Sequence, residues 1–330
     1  MEAILRRVRR SATPIRLVLS AGLLVGIFWQ LGGEMNPATL LGWVTPSALA
    51  WLAGAGLLLV FSYVLSTLRW MQVMRSLGLR SRFDTLLSHS LAGQFVSNAL
   101  PTTIGGDVVR ISRLSKNTGD SPGSFSSVVL DRLTGWIVLP LITLLGLLLN
   151  PSLRELGTQT RLVVAVALGT LVLLILVLYA ADHRLLGGRF RNREGWQRFV
   201  AAIHLGLGSL RRRPMAVVSV VAVGFVYQFV LVLSAFMAAQ ALGIAVGLTA
   251  LMVFFPIVLI AQVMPISIAG LGVREFMFVF LLSAVGVPDQ QALALGLLVW
   301  ILTVATSLLG VPAYAIGGGR PSELSREAVV

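Results

Sequence analysis

The sequence predicts an all-α, polytopic membrane protein made of two inverted-topology repeats, with about six full spans and two re-entrant helical hairpins. Hydrophobic residues make up 56% of the 330 residues and charged residues 12%, against about 25% charged in a soluble domain. Several apolar stretches reach the roughly 20 residues needed to cross the hydrocarbon core. A motif of Pro, small residues and Arg also occurs twice, and each copy interrupts an apolar stretch.

The first half of the chain predicts two spans, a broken helix pair and a third span. An apolar run follows four N-terminal arginines with no small-x-small cleavage site after it, so it is a retained helix rather than a signal peptide. The next pair is interrupted at Pro101, and its second helix is too polar and too short to span, so the pair is taken as a re-entrant hairpin; a pair that crosses fully is the alternative, and it would leave the inversion of the repeats unchanged. The predicted helices are 15–31, 46–70, 83–100, 105–116 and 125–149.

The second half repeats this plan after one linking span at 162–179 and a basic segment whose stretch at 196–210 is amphipathic and suited to the membrane interface. Its predicted helices are 215–241, 248–264, 273–285 and 292–315. One transmembrane domain is therefore expected, divided into an N-terminal segment and first helix (1–45), repeat one (46–149), a linking segment (150–214), repeat two (215–316) and a cytoplasmic tail (317–330).

The distribution of Lys and Arg predicts the orientation. If each broken pair returns to the side it entered, 22 of the 26 Lys and Arg residues lie on one side, counting Arg69 with the segment after the second span. By the positive-inside rule that side is the cytoplasm, and both termini lie there. Because the arginines sit at the ends of apolar spans, the net charge of +13 indicates lipid headgroups and not nucleic acid as the partner.

The duplicated motif is the candidate site for an anionic headgroup. A proline ends a helix, glycines permit a sharp turn and close approach of a ligand, and a restarting helix directs its N–H groups and positive dipole end at an anion. Arginine can then grip a phosphate in a bidentate way. The first copy contains Asn98, Pro101, Gly105, Gly106, Asp107 and Arg110, and the second contains Gln262, Pro265, Gly270, Gly272, Arg274 and Glu275.

Each candidate also has a simpler interpretation, which the sequence leaves open. Asp107 with Arg110 can form a local ion pair at a helix end, and Arg274 with Glu275 a pair at the outer surface. Asp131 and Arg132, early in the span at 125–149, are either an interfacial anchor or part of the site. The tryptophans lie mostly near span ends and are expected to be interface anchors.

Several kinds of site are not expected. The chain has no cysteine, which excludes disulfides, thiolate metal sites and cysteine nucleophiles. Its three histidines are scattered without metal-ligand spacing. No cofactor or metal is therefore predicted.

Three segments in this order resemble the transmembrane region of the lysylphosphatidylglycerol synthase and flippase family. They are the first motif copy, the sequence Val129-Leu130-Asp131-Arg132, and the second copy. The similarity covers about 15–316, and Asp107 stands where the family often has Glu. The chain ends soon after the last span, so the resemblance implies a lipid-translocating membrane domain and does not imply lysyl transfer.

The sequence and the resemblance together predict a lipid flippase or transporter in a bacterial inner membrane, which moves an anionic phospholipid or lipid-phosphate through a cavity between the repeats. One alternative is an intramembrane lipid phosphatase or transferase. Another is a non-catalytic subunit that works with a lipid synthase or glycosyltransferase. The sequence leaves a homo-oligomer open.

Overall fold

A computed structural model describes residues 45–99, 105–182, 214–263 and 270–316, and within these ranges the chain is helical with no strand. The predicted first span and the amphipathic stretch at 196–210 lie outside the described residues. The α-helices are α1 (Pro46–Ser76), α2 (Phe83–Ala99), α3 (Gly105–Thr118), α4 (Ser121–Leu149), α5 (Thr158–Asp182), α6 (Pro214–Ala241), α7 (Leu248–Val263), α8 (Val273–Leu282), α9 (Asp289–Ser307) and α10 (Gly310–Ile316). Short 3-10 turns occupy Pro151–Glu155 and Ser283–Val285.

Five segments of the described chain are long and apolar enough to cross a membrane, namely Pro46–Ser76, Ser121–Leu149, Thr158–Tyr179, Met215–Ala241 and Asp289–Ile316, with mean hydropathies from 1.9 to 3.0. The prediction of an all-α, multi-pass membrane protein is confirmed. The helices of the two broken pairs are shorter, with 17, 14, 16 and 10 residues for α2, α3, α7 and α8.

Helix caps mark the starts of two long spans, one as predicted and one earlier than predicted. The hydroxyl of Thr45 accepts a hydrogen bond from the Ala48 N–H, and Pro46 occupies the first turn of α1. Asp120 caps α4 in the same way through the Gly123 N–H, so this helix begins four residues before the predicted 125. At its other end, α1 continues to Ser76 instead of stopping at 70, and this places Arg69 well inside the helix.

The two most extensive helix interfaces each join helices that run antiparallel. The α1–α6 interface is the most extensive: the Ser234 hydroxyl donates to the Ala55 carbonyl at 2.9 Å, and Arg69 lies 5.1 Å from the ring of Tyr227. In the α4–α7 interface, the side chain of Asn150 donates to Thr249 at 3.1 Å. In both interfaces, contacts that come later along one helix come earlier along the other.

Each broken pair folds as a helical hairpin. Gly106 of α3 packs on the Gly93 carbonyl of α2, so closely that a Cβ at Gly106 would overlap it. In the second pair, the rings of Phe255 (α7) and Phe278 (α8) lie 5.9 Å apart. The residues that connect the two helices of each pair, which include Pro101 and Pro265, lie outside the described residues.

The last predicted span, 292–315, is bent. Helix α9 ends at Ser307 and α10 begins at Gly310. A Cβ at Gly310 would overlap the Leu91 carbonyl of α2, so the glycine allows this close approach. Arg113 of α3 donates to the carbonyls of Ala313 and Tyr314, each at 2.8 Å, and so ties the end of α10 to the first hairpin.

We expect Gly146→Leu to destabilise the protein, because a Cβ at Gly146 would lie 2.9 Å from Val253 and 3.0 Å from Met252 in the α4–α7 interface. Overpacking of this kind costs about 1–3 kcal/mol. Gly56→Leu is the matched control, since a Cβ there meets nothing within 4 Å. The measurement is the melting temperature in detergent. Equal melting temperatures for the two variants would contradict the described packing.

Candidate functional site

A buried carboxylate in α4 joins three helices. Asp131 is 1% exposed, and each of its oxygens accepts a hydrogen bond from a different arginine. Nε of Arg69 in α1 lies 2.8 Å from Oδ1, and an Nη of Arg110 in α3 lies 2.8 Å from Oδ2. Because isolated charge is costly at membrane depth, this three-residue arrangement holds α1, α3 and α4 together.

The guanidinium of Arg110 also lies over an aromatic ring. Its central carbon is 4.0 Å from the centroid of Trp70, whose indole N–H donates to the Ser127 hydroxyl at 3.1 Å. Trp70 has no exposed surface. The prediction that it is an interface anchor is therefore wrong, because an anchor must reach the lipid headgroups.

Asp107 at the start of α3 takes its main partner from another helix. Its two oxygens lie 3.0 Å from Nε and an Nη of Arg132 in α4, whereas Arg110 is 3.7 Å away. The expected local pair of Asp107 and Arg110 is thus the weaker of its two contacts. Arg132 keeps 47% of its side-chain surface exposed. The charges here are those of three arginines and two aspartates, Arg69, Arg110, Arg132, Asp107 and Asp131, which leaves one net positive charge.

The second copy of the motif forms a self-contained unit. Gly270 and Gly272 have φ angles of 77° and 82°, which favour glycine. An Nη of Arg274 lies 2.6 Å from Oε1 of Glu275, and Oε2 of Glu275 accepts the Gly272 N–H at 2.7 Å. Glu275 is fully buried and the Arg274 side chain is 6% exposed. The alternative of a pair at the outer surface is therefore wrong.

The two motif copies line one cavity of about 930 Å³. Asn98 and Asp107 come from the first copy, and Gln262 and Arg274 from the second. Arg132 also lines this cavity. The aromatic side chains of the lining are Tyr63, Trp136, Tyr227, Phe255 and Trp300.

A smaller polar pocket of about 110 Å³ adjoins this cavity and shares Asp107 and Arg132 with it. Arg69, Arg110 and Asp131 line the small pocket and not the large cavity. Nη1 of Arg69 and Nε of Arg110 are buried without a hydrogen-bond partner among the described residues. These two donors suit acceptor oxygens of water or of a bound group.

The predicted site residues fall into three groups. Those that line the large cavity are Asn98, Asp107, Arg132, Gln262 and Arg274. Those that pack or pair behind its wall are Gly106, Arg110, Asp131, Gly270, Gly272 and Glu275. Gly105 is the first residue of α3, and Pro101 and Pro265 lie outside the described residues.

Sequence reasoning missed the role of Arg69, which was counted with the cytoplasmic arginines because it sits near the predicted end of its span. It is 5% exposed and bound to Asp131. The signal was present: Arg69 is the one charged residue of 46–70.

Among the described residues, no group of three His, Asp or Glu is placed to hold a metal ion. His89 is buried, with Nε2 3.4 Å from the amide nitrogen of Asn117.

Comparison with known protein families gives a match over most of the chain. The model of a family described as the lysylphosphatidylglycerol synthase TM region matches residues 15–310. That range contains every residue of the site. No curated protein matches the chain.

We expect Asp131→Asn to cost about 3–5 kcal/mol of stability, because it leaves Arg69 and Arg110 buried without a counter-charge. The matched control is Asp84→Asn, which removes an exposed pair with Arg82 and should cost at most about 1 kcal/mol. Thermal unfolding in detergent measures both. Adding Arg110→Gln to Asp131→Asn should recover part of the loss. Wild-type stability of Asp131→Asn would refute the structural role of this cluster.

Proposed function

This chain belongs to the lysylphosphatidylglycerol synthase TM region family, and on that premise we propose that it is a lipid flippase or lipid transporter of a bacterial inner membrane. Its substrate is an anionic phospholipid or a lipid-phosphate. The observation that carries the proposal is that residues of both motif copies line the same cavity, together with two arginines, Arg132 and Arg274. Transporters built from repeats place their substrate sites where two such interrupted helices meet.

The charges of the cavity support an anionic headgroup. Arg132 is held by Asp107 yet remains 47% exposed, so its guanidinium can also donate hydrogen bonds to a phosphate without leaving that carboxylate. Arg274 reaches the same cavity from α8, with its charge balanced by Glu275. A phosphate placed between these arginines meets the net positive charge of the cluster around Asp131, and Asp107 or Glu275 can meet a cationic substituent of the headgroup.

The helix packing supports the inverted repeats of the proposal. Helix α1 packs antiparallel to α6, its counterpart in the second repeat, as repeats of opposite topology require. The contacts of α3 with α4 and of α1 with α2 have counterparts in those of α8 with α9 and of α6 with α7. We propose that the α2–α3 and α7–α8 hairpins are re-entrant from opposite faces, and that rocking of one repeat against the other gives alternating access.

The state of the acidic residues favours transport over chemistry on the lipid. Asp131 is bound to two arginines, Asp107 to Arg132, and Glu275 to Arg274 and a backbone N–H. A general acid or base needs a carboxyl that can reach a substrate proton.

The sequence has no nucleotide-binding motif, so the proposed movement is passive, gradient-driven or coupled to a partner such as a lipid synthase, a glycosyltransferase or a second copy of the chain.

We expect Arg132→Gln and Arg274→Gln each to slow lipid transfer by about tenfold or more, since a charge-assisted hydrogen bond is worth about 1.5–3 kcal/mol. The matched control is Arg82→Gln, an arginine that is 68% exposed and outside the cavity. The measurement is the movement of fluorescent phosphatidylglycerol between the leaflets of proteoliposomes. If all three variants keep the wild-type rate, the assigned headgroup site is wrong.

The absence of cysteine in the sequence allows a direct test of the proposed orientation with single cysteines. We expect Ser152→Cys and Ala245→Cys to react with a membrane-impermeant maleimide added to spheroplasts, because they lie on the proposed outer face. Ser81→Cys, on the proposed cytoplasmic face, should react only after the membrane is permeabilised. Labelling of Ser81→Cys from outside would reverse the orientation, and labelling of all three from one side would rule out the topology.

A further inference from the structure

Helix α5 belongs to neither repeat, yet one of its faces lines the cavity. The lining residues recur at helical spacing, which places them within one face of the helix. They are Val166, Gly169, Thr170, Leu173, Leu174 and Val177. The opposite face carries the exposed large side chains Leu168, Val172, Ile175, Leu176 and Tyr179. The helix is thus a partition, with the cavity on one side and the surface that lipid would cover on the other.

We infer that the cavity face of α5, which we call the α5 stripe, is the binding site for a hydrocarbon chain of the transported lipid. This inference rests on the proposed function and extends it, because it places part of the acyl chain, and not the headgroup alone, inside the protein. The occupant is a fatty acyl or polyprenyl chain covalently attached to the headgroup that Arg132 and Arg274 bind.

The chemistry of the cavity wall supports this occupant. The charged lining residues, Asp107, Arg132 and Arg274, come from α3, α4 and α8. The α5 stripe has no charge and one hydroxyl, and Val129 and Leu133 of α4 continue its apolar surface. A cavity that is charged at one side and hydrocarbon at the other complements an amphipathic ligand, whereas a free headgroup would leave the apolar side in contact with water.

The dimensions of the stripe support the same occupant. From Val166 to Val177 the helix rises about 16 Å, at 1.5 Å per residue. This is about half of the ~30 Å hydrocarbon thickness, which is the depth that the chains of one leaflet cover. Gly169 widens the cavity midway along the stripe, because a Cβ there would meet nothing within 4 Å.

The variant that tests the stripe is Gly169→Leu, which adds a side chain where a Cβ would meet nothing within 4 Å. We expect it to slow transfer of phosphatidylglycerol in proteoliposomes by about tenfold, the change that ~1.4 kcal/mol of added barrier produces. Gly56→Leu is the matched control. It is also a mid-helix glycine with nothing within 4 Å, but it does not line the cavity. Wild-type rates for both variants would overturn the inference.

A second measurement separates this inference from the proposed function. A phosphatidylglycerol with a photoreactive diazirine in its acyl chain is crosslinked to the wild-type protein, and the labelled residues are mapped by mass spectrometry. We expect labelling of the α5 stripe that excess unlabelled phosphatidylglycerol suppresses and phosphatidylcholine does not, and that Arg132→Gln weakens. Labelling of Leu168 and Ile175, on the opposite face, should be insensitive to all three.

The outcomes are distinct. If the wild-type protein moves no lipid but the stripe is labelled and competed as described, the chain site stands and the transport proposal fails. If lipid moves but labelling is confined to the opposite face of α5, or is insensitive to competition, the chain site is wrong and the transport proposal stands.

Discussion

The buried carboxylate of Asp131, shared between Arg69 and Arg110, is the interaction on which this architecture depends. A single aspartate fixes a long span, the first hairpin and the next span relative to one another. Leaving any one of the three charges unpaired at this depth would be costly, so the three helices hold their arrangement as a unit. The position of Asp107, and with it the angle of Arg132 toward the cavity, follows from that arrangement.

The cavity is assembled from parts that could not form it alone. The charged residues of its wall are supplied by α3, α4 and α8, and the aromatic residues by α1, α4, α6, α7 and α9. Helix α5 supplies more of the aliphatic residues than any other helix. A duplicated motif supplies two of its walls, and a helix outside the duplication supplies another. The polar and apolar regions therefore lie beside each other in one space, which is the arrangement that an amphipathic ligand requires.

The expected meeting of the two motif copies rested on the duplication and on the distribution of Lys and Arg along the chain. Local sequence predicted most helices, because apolar runs and proline interruptions act over a few residues. It could not assign the partners of charged residues, which depend on packing between distant helices. Arg69 was counted as a cytoplasmic residue although it is buried, and Trp70 was taken for an anchor although it lies beneath Arg110. The main partner of Asp107 is Arg132, which lies 25 residues away in the sequence, whereas the spacing of one helical turn had indicated Arg110.

The two motif copies differ in how their charges are balanced. The pair of Arg274 and Glu275 is contained within one helix turn, and Glu275 also caps the Gly272 N–H. The neutralisation of Arg274 therefore does not depend on the position of another helix. In the first hairpin it does, because Arg110 and Asp107 are paired with Asp131 and Arg132 of α4. A shift of α4 relative to α3 would separate charges, whereas a shift of α8 relative to its neighbours would leave its own pair intact.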